Sequence, residues 1–439
     1  MLCSSFSISQ LAIPAVCVLI TFLAYSSQYL FLYIEPAPLT KDELLKFNAL
    51  VACIWICYYR ACTVDPGRIP KDWKPARKED EEKAAREGSI DATVRQRWCR
   101  RCEAFKPPRA HHCKTCQRCI PKMDHHCPWT SNCVSHFTFP HFIRFLFYAV
   151  VSMAYLQYFL YVRASVIWRN RNLPSYLGPS LLQLGHLFFL ILINSLTLFA
   201  LSILLVRTLW SLGANVTTIE SWEIERHKTL VRRARHFGGY LEGPDGIKVR
   251  IKKQEFPYDI GIWQNIKAGM GGSSNVLSWF WPFAATPDRS TGLEFEVNGF
   301  EDPGLLWPPP DPDRIPRPAR PIDADNPFTL RQQFSSAQEE IEAFKRRQME
   351  DMERRKGGAG LQRRKRFHER YAEADGMEDG QIVETESVCG SSSEEGEEGW
   401  RNSEGERLRD FGVDEEAEFY DEDDIPLAKL IQRRKQMHS

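Results

Sequence analysis

"CRRCEAFKPPRAHHCKTCQRCIPKMDHHCPWTSNC", residues 99–133, gathers seven of the chain's thirteen cysteines, with His111, His112, His125 and His126 among them. Three C-x2-C steps lie inside it: "CRRC", "CKTC" and "CQRC". That spacing lets two thiolates from one tight turn occupy adjacent corners of a zinc tetrahedron. A disulfide framework is the competing use of so many thiols, and it fails if the segment faces a reducing cytosol. Two closed tetrahedral sites need eight ligands. Seven cysteines with one histidine fill them, and so do six cysteines with two histidines. The second solution leaves one thiol over. Cys127 is the natural remainder, because it belongs to no C-x2-C step and directly follows two histidines. A thiol held rigidly beside an imidazole and the Asp124 carboxyl has the surroundings that make cysteine a nucleophile. Spacing alone leaves two outcomes open, a reactive module and a purely structural one.

The flanking sequence sets this module against a membrane. Four apolar runs, at about 11–34, 44–64, 142–162 and 181–206, reach the ~20 residues needed to cross a bilayer. A cleaved signal peptide fits the first run poorly, since no basic start precedes it and the apolar stretch is too long. Lys and Arg near helix ends set orientation. The 65–141 segment is rich in both and Arg207 follows the fourth run, whereas "EPAPLTKDE" between the first two is net acidic. Both termini and 65–141 are therefore expected in the cytosol. Arg163, Arg169 and Arg171, with no acid in 163–180, argue the other way and are outvoted by the longer segments. The formal net charge is zero, so no overall field points to nucleic acid.

Residues 207–310 hold aromatics, glycines and hydrophobic clusters enough for a small folded or membrane-hugging extension. Beyond "WPPPDPDRIPRPARP" the composition turns to charge, Ser and Gly. Such a segment buries too little apolar surface to offset its ordering entropy. Residues 311–439 are accordingly expected to be a charged, mostly disordered tail, dispensable for chemistry, with a solvated helix at about 330–356. "RRKRFHER" reads as a solvated charge run. No internal repeat stands out along the chain.

From Cys99 to Cys133 the pattern C-x2-C-x3-K-P-x-R-x2-H-C-x2-C-x2-C-x4-D-H-H-C-x-W-x2-N-C resembles the cysteine-rich domain of the DHHC protein S-acyltransferases (palmitoyltransferases). "DPG" at 65–67, "TTIE" at 217–220 and "PYDIGIWQNIKAGMG" at 257–271, with Asn265 in the Asn position, resemble further signatures of that family. The likeness covers about 1–275. It implies an all-α integral membrane protein of four transmembrane helices, with a cytosolic zinc-binding domain between the second and third. The corresponding divisions are 1–64 for the first two spans, 65–141 for the loop (zinc domain 97–141), 142–206 for the last two spans, 207–310 for the extension and 311–439 for the tail. Carried over by position, one zinc would be held by Cys99, Cys102, His112 and Cys119. The other would be held by Cys113, Cys116, His126 and Cys133, leaving Cys127 free. The chain departs from the family's usual "C-x-G-x-x-N" at "CVSHFT", with Ser135 and Thr138. That variant, and "FTFPHF" after it, is similar to the endoplasmic-reticulum branch of fungal members.

The resemblance implies transfer of a fatty acyl group from palmitoyl-coenzyme A, through an S-acyl-Cys127 intermediate, to cysteines on the cytosolic side of membrane-protein substrates. His125 would be the base and Asp124 its orienting acid. Thr217 and Thr218 would brace that end, and Trp129 would pack near the thioester or at the membrane interface. Arg97, Arg100, Arg101, Lys106, Arg109, Lys114, Arg118 and Lys122 surround the motif. They would meet coenzyme A phosphates or anionic headgroups, or serve as ordinary cytosolic surface. The partners implied are acyl-coenzyme A, client proteins and the bilayer, with no nucleic acid. The compartment is the endoplasmic reticulum membrane, the Golgi being the alternative. A membrane-anchored zinc adaptor without activity and a zinc-dependent hydrolase are the rival classes. The hydrolase needs an open metal position, which eight ligands on two sites do not leave.

Overall fold

The computed structural model describes residues 11–36, 38–73, 97–172, 174, 178–242, 248–300, 307–309, 311–312, 345, 349 and 400–414. Four helices are long and apolar enough to cross a membrane: α1 (Ala12–Leu30), α2 (Lys41–Thr63), α3 (Phe139–Arg169) and α4 (Leu181–Ala214). Their starts follow from local chemistry. Thr40 with Glu43 and Ser180 with Gln183 form capping boxes at the heads of α2 and α4, satisfying backbone N–H groups that have no partner within the helix. Pro140 sits in the first turn of α3. Inside α1 the residues Phe22–Ser26 widen into a π-helical turn, where the Ser26 and Ser27 hydroxyls donate back to the Phe22 and Leu23 carbonyls at 2.6 Å.

Phe31, Phe47, Val51, Leu156, Phe159, Leu160, Leu187 and Leu190 share one core contributed by all four spans or their ends. Between α3 and α4 the Asn194 amide is buried and donates to the Met153 carbonyl at 3.1 Å and to Gln157 Oε1 at 2.8 Å. Such polar links tie helices together where lipid offers no competing partner.

Two helices run past the expected spans. Helix α3 runs to Arg169, so Arg163 is not in a loop; it is buried with its guanidinium 3.5 Å from the centre of the Phe31 ring. Helix α4 has 34 residues, and at ~1.5 Å per residue it exceeds the ~30 Å hydrocarbon layer. Its last turns carry Asn215, in left-handed conformation at the helix end, to the cysteine-rich module.

The module is not helical. It consists of three antiparallel hairpins: β1 (Trp98–Cys99) with β2 (Ala104–Phe105), β3 (His111–Cys113) with β4 (Arg118–Ile120), and β5 (His125–Cys127) with β6 (Asn132–Val134). The all-α expectation is corrected here to a mostly helical protein. A turn that aims two thiolates at one point needs strands on either side, and hydropathy along the chain does not register strands so short. The extension holds α5 (Thr218–Arg235), a β7–β8 pair (Tyr240–Glu242, Lys248–Arg250), α6 (Ile262–Gly269) and α7 (Val276–Phe280).

The chain divides into a first unit of residues 1–317 with 399–439 and a second unit of 318–398. In the second, Lys345 and Met349 are described and helical; the rest of 330–356, and "RRKRFHER", lie outside the described residues. The tail does not stay clear of the folded protein throughout. Residues 400–414, including a 3-10 turn at Leu408–Phe411, belong to the first unit and pack on its cysteine-rich module.

Candidate active site and metal clusters

The three hairpins are a repeat with a period of 14 residues, which the sequence reading missed. Each has a four-residue turn whose last residue has positive φ: Glu103 (52°), Gln117 (53°) and Ser131 (47°). Cys99, Cys113 and Cys127 occupy one position of the repeat, and Cys102, Cys116 and Thr130 occupy the next. His112 pairs across its hairpin with Cys119, and His126 with Cys133. Each cluster joins the turn of one hairpin to the His–Cys cross-strand pair of the following one. Cys127 opens a third turn that no fourth hairpin completes.

Two donor groups result: Cys99, Cys102, His112 and Cys119, and Cys113, Cys116, His126 and Cys133. The His112 Nδ1 lies 3.4, 3.3 and 3.8 Å from the Sγ atoms of Cys99, Cys102 and Cys119. The His126 Nδ1 lies 3.6, 3.5 and 3.5 Å from those of Cys113, Cys116 and Cys133. A tetrahedron with metal–sulfur bonds of ~2.3 Å and metal–nitrogen bonds of ~2.0 Å has edges of about 3.5 Å, so both clusters could hold a metal ion. The Cys102 and Cys116 amides point at Cys99 Sγ and Cys113 Sγ at 3.4 and 3.3 Å, which favours thiolates there.

At the unpaired turn, Cys127 is buried, His125 and Thr130 both favour its thiolate, and the Thr130 hydroxyl donates to the Cys127 carbonyl at 3.4 Å. Burial raises this thiol, and His125 and Thr130 together outweigh it, leaving Cys127 below its ordinary range. His125 Nδ1 is 2.7 Å from Asp124 Oδ2. Burial works against the imidazolium, but Asp124 and Cys127 together hold His125 up at about 10. Asp124 is itself fixed: its Oδ1 accepts from the Thr218 amide at 2.8 Å, and its carbonyl accepts from the Thr218 hydroxyl at 2.5 Å. Asp124 therefore sits on the N-terminus of α5, where helix amides and dipole favour a carboxylate. On its other side Cys127 shares an apolar cluster with Phe142 and Leu146 of α3 and Leu201 and Leu205 of α4.

The anchoring behind this line was not foreseen. Thr217 caps α5 in a box with Glu220, and Glu220 meets Arg109 in a buried two-pronged pair at 2.5 and 2.7 Å. Burial raises Glu220, and Arg109 overrides it to hold the carboxyl below its usual range. Arg109 also donates to the Asn215 carbonyl at 2.6 Å and lies 4.5 Å from the Tyr258 ring centre. Arg109→Ala would leave Glu220 buried and unpaired, a loss of ~3–5 kcal/mol. The detergent-solubilised variant is expected to melt well below the parent, and an unchanged Tm would contradict this locking role. No local signal marks a pair 111 residues apart.

Several expected residues are placed elsewhere than at the centre. Asn265 is buried 52 residues down-chain of the Gly213 carbonyl it donates to, at 2.7 Å, and it also bonds Asp259; it pins the extension to the end of α4. Trp129 is 60 % exposed, and its carbonyl accepts from the Tyr58 hydroxyl at 2.8 Å. Asn132, which the sequence reading left aside, donates to the Ala61 and Val64 carbonyls at 3.0 and 2.8 Å and ties the motif to the end of α2. Of the surrounding cations, Arg101 pairs with Asp414, Arg118 with Asp65, Arg109 with Glu220, and Lys122 donates to Asn215. These are structural contacts. At the departure from the family pattern, Ser135 donates to the Pro66 carbonyl at 2.8 Å and Thr138 to the Cys133 carbonyl at 2.7 Å, so the two hydroxyls lock the entry into α3. Gly67 has φ of 98°, and a Cβ there would meet the Phe137 ring at 2.6 Å.

A membrane-embedded helical scaffold carrying a Cys–His–Asp line beside two Cys3His clusters is the geometry of a thiol acyltransferase. A family model described as DHHC palmitoyltransferase matches residues 92–225. Palmitoyltransferase pfa4 of Emericella nidulans is 67% identical over 443 residues, covering 100% of this chain and 99% of that protein. Palmitoyltransferase pfa4 of Aspergillus fumigatus is 66% identical over 99% of this chain and 100% of its own. Palmitoyltransferase PFA4 of Gibberella zeae is 45% identical over 98% and 96%. The chain belongs to the DHHC palmitoyltransferases and is a protein S-acyltransferase.

Proposed function

We propose that Cys127 is the nucleophile of a two-step acyl transfer, that His125 holds its proton and that Asp124 fixes the imidazole. The hydrogen-bonded line Thr218–Asp124–His125–Cys127 carries this reading. Cys127 attacks the carbonyl carbon of palmitoyl-coenzyme A; a bond to Sγ forms and the bond to the coenzyme A sulfur breaks. His125 gives its proton to the departing thiolate. A cysteine of a membrane-protein substrate then passes its proton to His125 and takes the acyl group, and Cys127 returns as thiolate. One thioester replaces another, so the exchange is nearly balanced in energy. The α3–α4 cluster beneath Cys127 suits the chain: at ~0.8 kcal/mol per methylene, a sixteen-carbon tail resists leaving hydrocarbon by about 10 kcal/mol. The test is incubation of the purified protein with labelled palmitoyl-coenzyme A and peptide mapping of the hydroxylamine-labile adduct. Label on Cys127 is expected; label on Cys62 or on a cluster thiol instead would overturn the assignment.

Thr130 stands where the other two turns carry their second cysteine, and its hydroxyl and backbone both act to hold the Cys127 thiol down. A bond to a charged group contributes ~1.5–3 kcal/mol, and each 1.36 kcal/mol is tenfold in rate. Thr130→Val keeps the amide and removes the hydroxyl, so self-acylation is expected to slow by about 10–100-fold with metal content unchanged.

Zinc is the metal assigned to both clusters, since three thiolates and one imidazole make a closed structural site with no position for water. Both termini and 65–141 are assigned to the cytosol, and 35–43 and 170–180 to the lumen. Removing Arg163 from the lumenal count supports this orientation. Glycosylation tags should be modified in the lumenal loops and untouched at either terminus. The endoplasmic reticulum membrane, with the Golgi as alternative, rests on the likeness to the fungal branch, and co-localisation with markers of each compartment tests it.

A further inference from the structure

We propose that residues 400–414 are a clasp in cis, a segment of the tail that covers the second metal cluster and slows the release of its metal. Val413 forms an antiparallel bridge with Cys113, a donor of that cluster. The Lys114 amide donates to the Gly412 carbonyl and the Asp414 amide donates to the His112 carbonyl, both at 2.9 Å. The tail thus adds itself to the β3 edge of the second hairpin, the mode by which extended peptides pair with exposed strands. Leu408, Phe411 and Val413 are buried with Cys113, Ile120, Met123 and Cys133 of the module and with Ile219 and Trp222 of α5. Asp414 is buried against Arg101 at 2.5 Å. Gly412 has φ of 82°, and a Cβ on it would come within 2.6 Å of the His126 Cβ, so the clasp lies directly on a donor residue.

The chain leaves and returns at one point. Arg226 of α5 holds Asp311 at 2.8 and 3.1 Å, and the same guanidinium lies 5.6 Å from the Trp400 ring centre. Joining Arg317 to Gly399 would leave seven residues, 312–317 and 399, between those anchors, a reach of ~25 Å. The intervening 318–398 can therefore be removed without pulling on the clasp.

Groups that support metal ligands typically change affinity by about 10–100-fold when removed. Three purified full-length-based proteins in detergent test the proposal: the parent, a chain lacking 318–398, and a chain ending at 398. Metal release to a chromogenic chelator is followed in each. The internal deletion is expected to release metal at the parent's rate. The truncated chain is expected to lose one of its two ions at least ~10-fold faster, and a synthetic peptide of 399–416 should restore slow release. Parent-like release from the truncated chain overturns the proposal, and so does equally fast release from the internal deletion. If the truncated chain does not insert, Gly412→Val carries the test at full length: it should release one ion faster, and an unchanged rate overturns the proposal. The proposal rests on the two clusters binding metal and not on Cys127; the parent's metal stoichiometry tests that premise separately.

Discussion

Cys127→Ser is expected to abolish both acylation of the enzyme and transfer to a client, with two metal ions per chain retained. The reason lies in the repeat. Cys127 holds the position that Cys99 and Cys113 hold in their turns, yet no histidine–cysteine pair follows to close a third cluster. Its thiolate is favoured by His125 and Thr130 instead. Serine fits the same space, but its hydroxyl is not ionised by an imidazole as a thiol is, so the attacking anion is lost. Metal analysis beside a self-acylation assay checks both halves. A variant that sheds an ion would mean that Cys127 is a ligand, and one that acylates normally would mean that the nucleophile lies elsewhere.

The adjacent histidines give the second large effect, because identical neighbours have different work. His125→Ala removes the proton holder while leaving both donor groups whole, and loss of such a group typically costs about 10²–10⁴-fold in rate. The sign of its pH dependence follows from the two opposing influences on Cys127. With His125 present the thiol is held below its ordinary range; without it the largest single remaining influence is burial, which acts to raise it. The parent should therefore keep its thiolate through neutral pH, whereas the variant should be slow at neutral pH and gain rate as pH rises. His126→Ala opens a corner of the second cluster. Metal binding in small modules is folding energy, so this variant should lose one ion and aggregate, with no rescue by pH. Swapped phenotypes, or metal loss in both, would reverse the assignment.

Much of this was legible in the sequence. Four apolar runs announced the spans, and cysteine spacing with the motif resemblance named both donor groups and the Asp124–His125–Cys127 line. The helix ends were not legible, because α3 and α4 continue past their apolar windows into polar turns, which burial of Arg163 and the Asn215 cap stabilise. The 14-residue repeat was hidden because its first copy has Trp98 and Phe105 where the later ones have histidine and cysteine, and its last has Thr130 for cysteine. The Arg109–Glu220 pair joins residues far apart, each ordinary in its own neighbourhood. The clasp escaped for a related reason. Average composition describes how a segment behaves alone, and a few anchors suffice once a partner surface is already folded.

Asp124 accepts from the first amide of α5 while holding His125, so the proposed reacting line is a shared possession of two distant stretches of chain. A chimera that exchanged only residues 97–141 with a relative would set an incoming aspartate and arginine against a Thr218 amide and a Glu220 carboxylate that they did not come with. The transferable part is discontinuous: the cysteine-rich module, the Asn215–Arg226 stretch that meets it, and the tail segment 400–414.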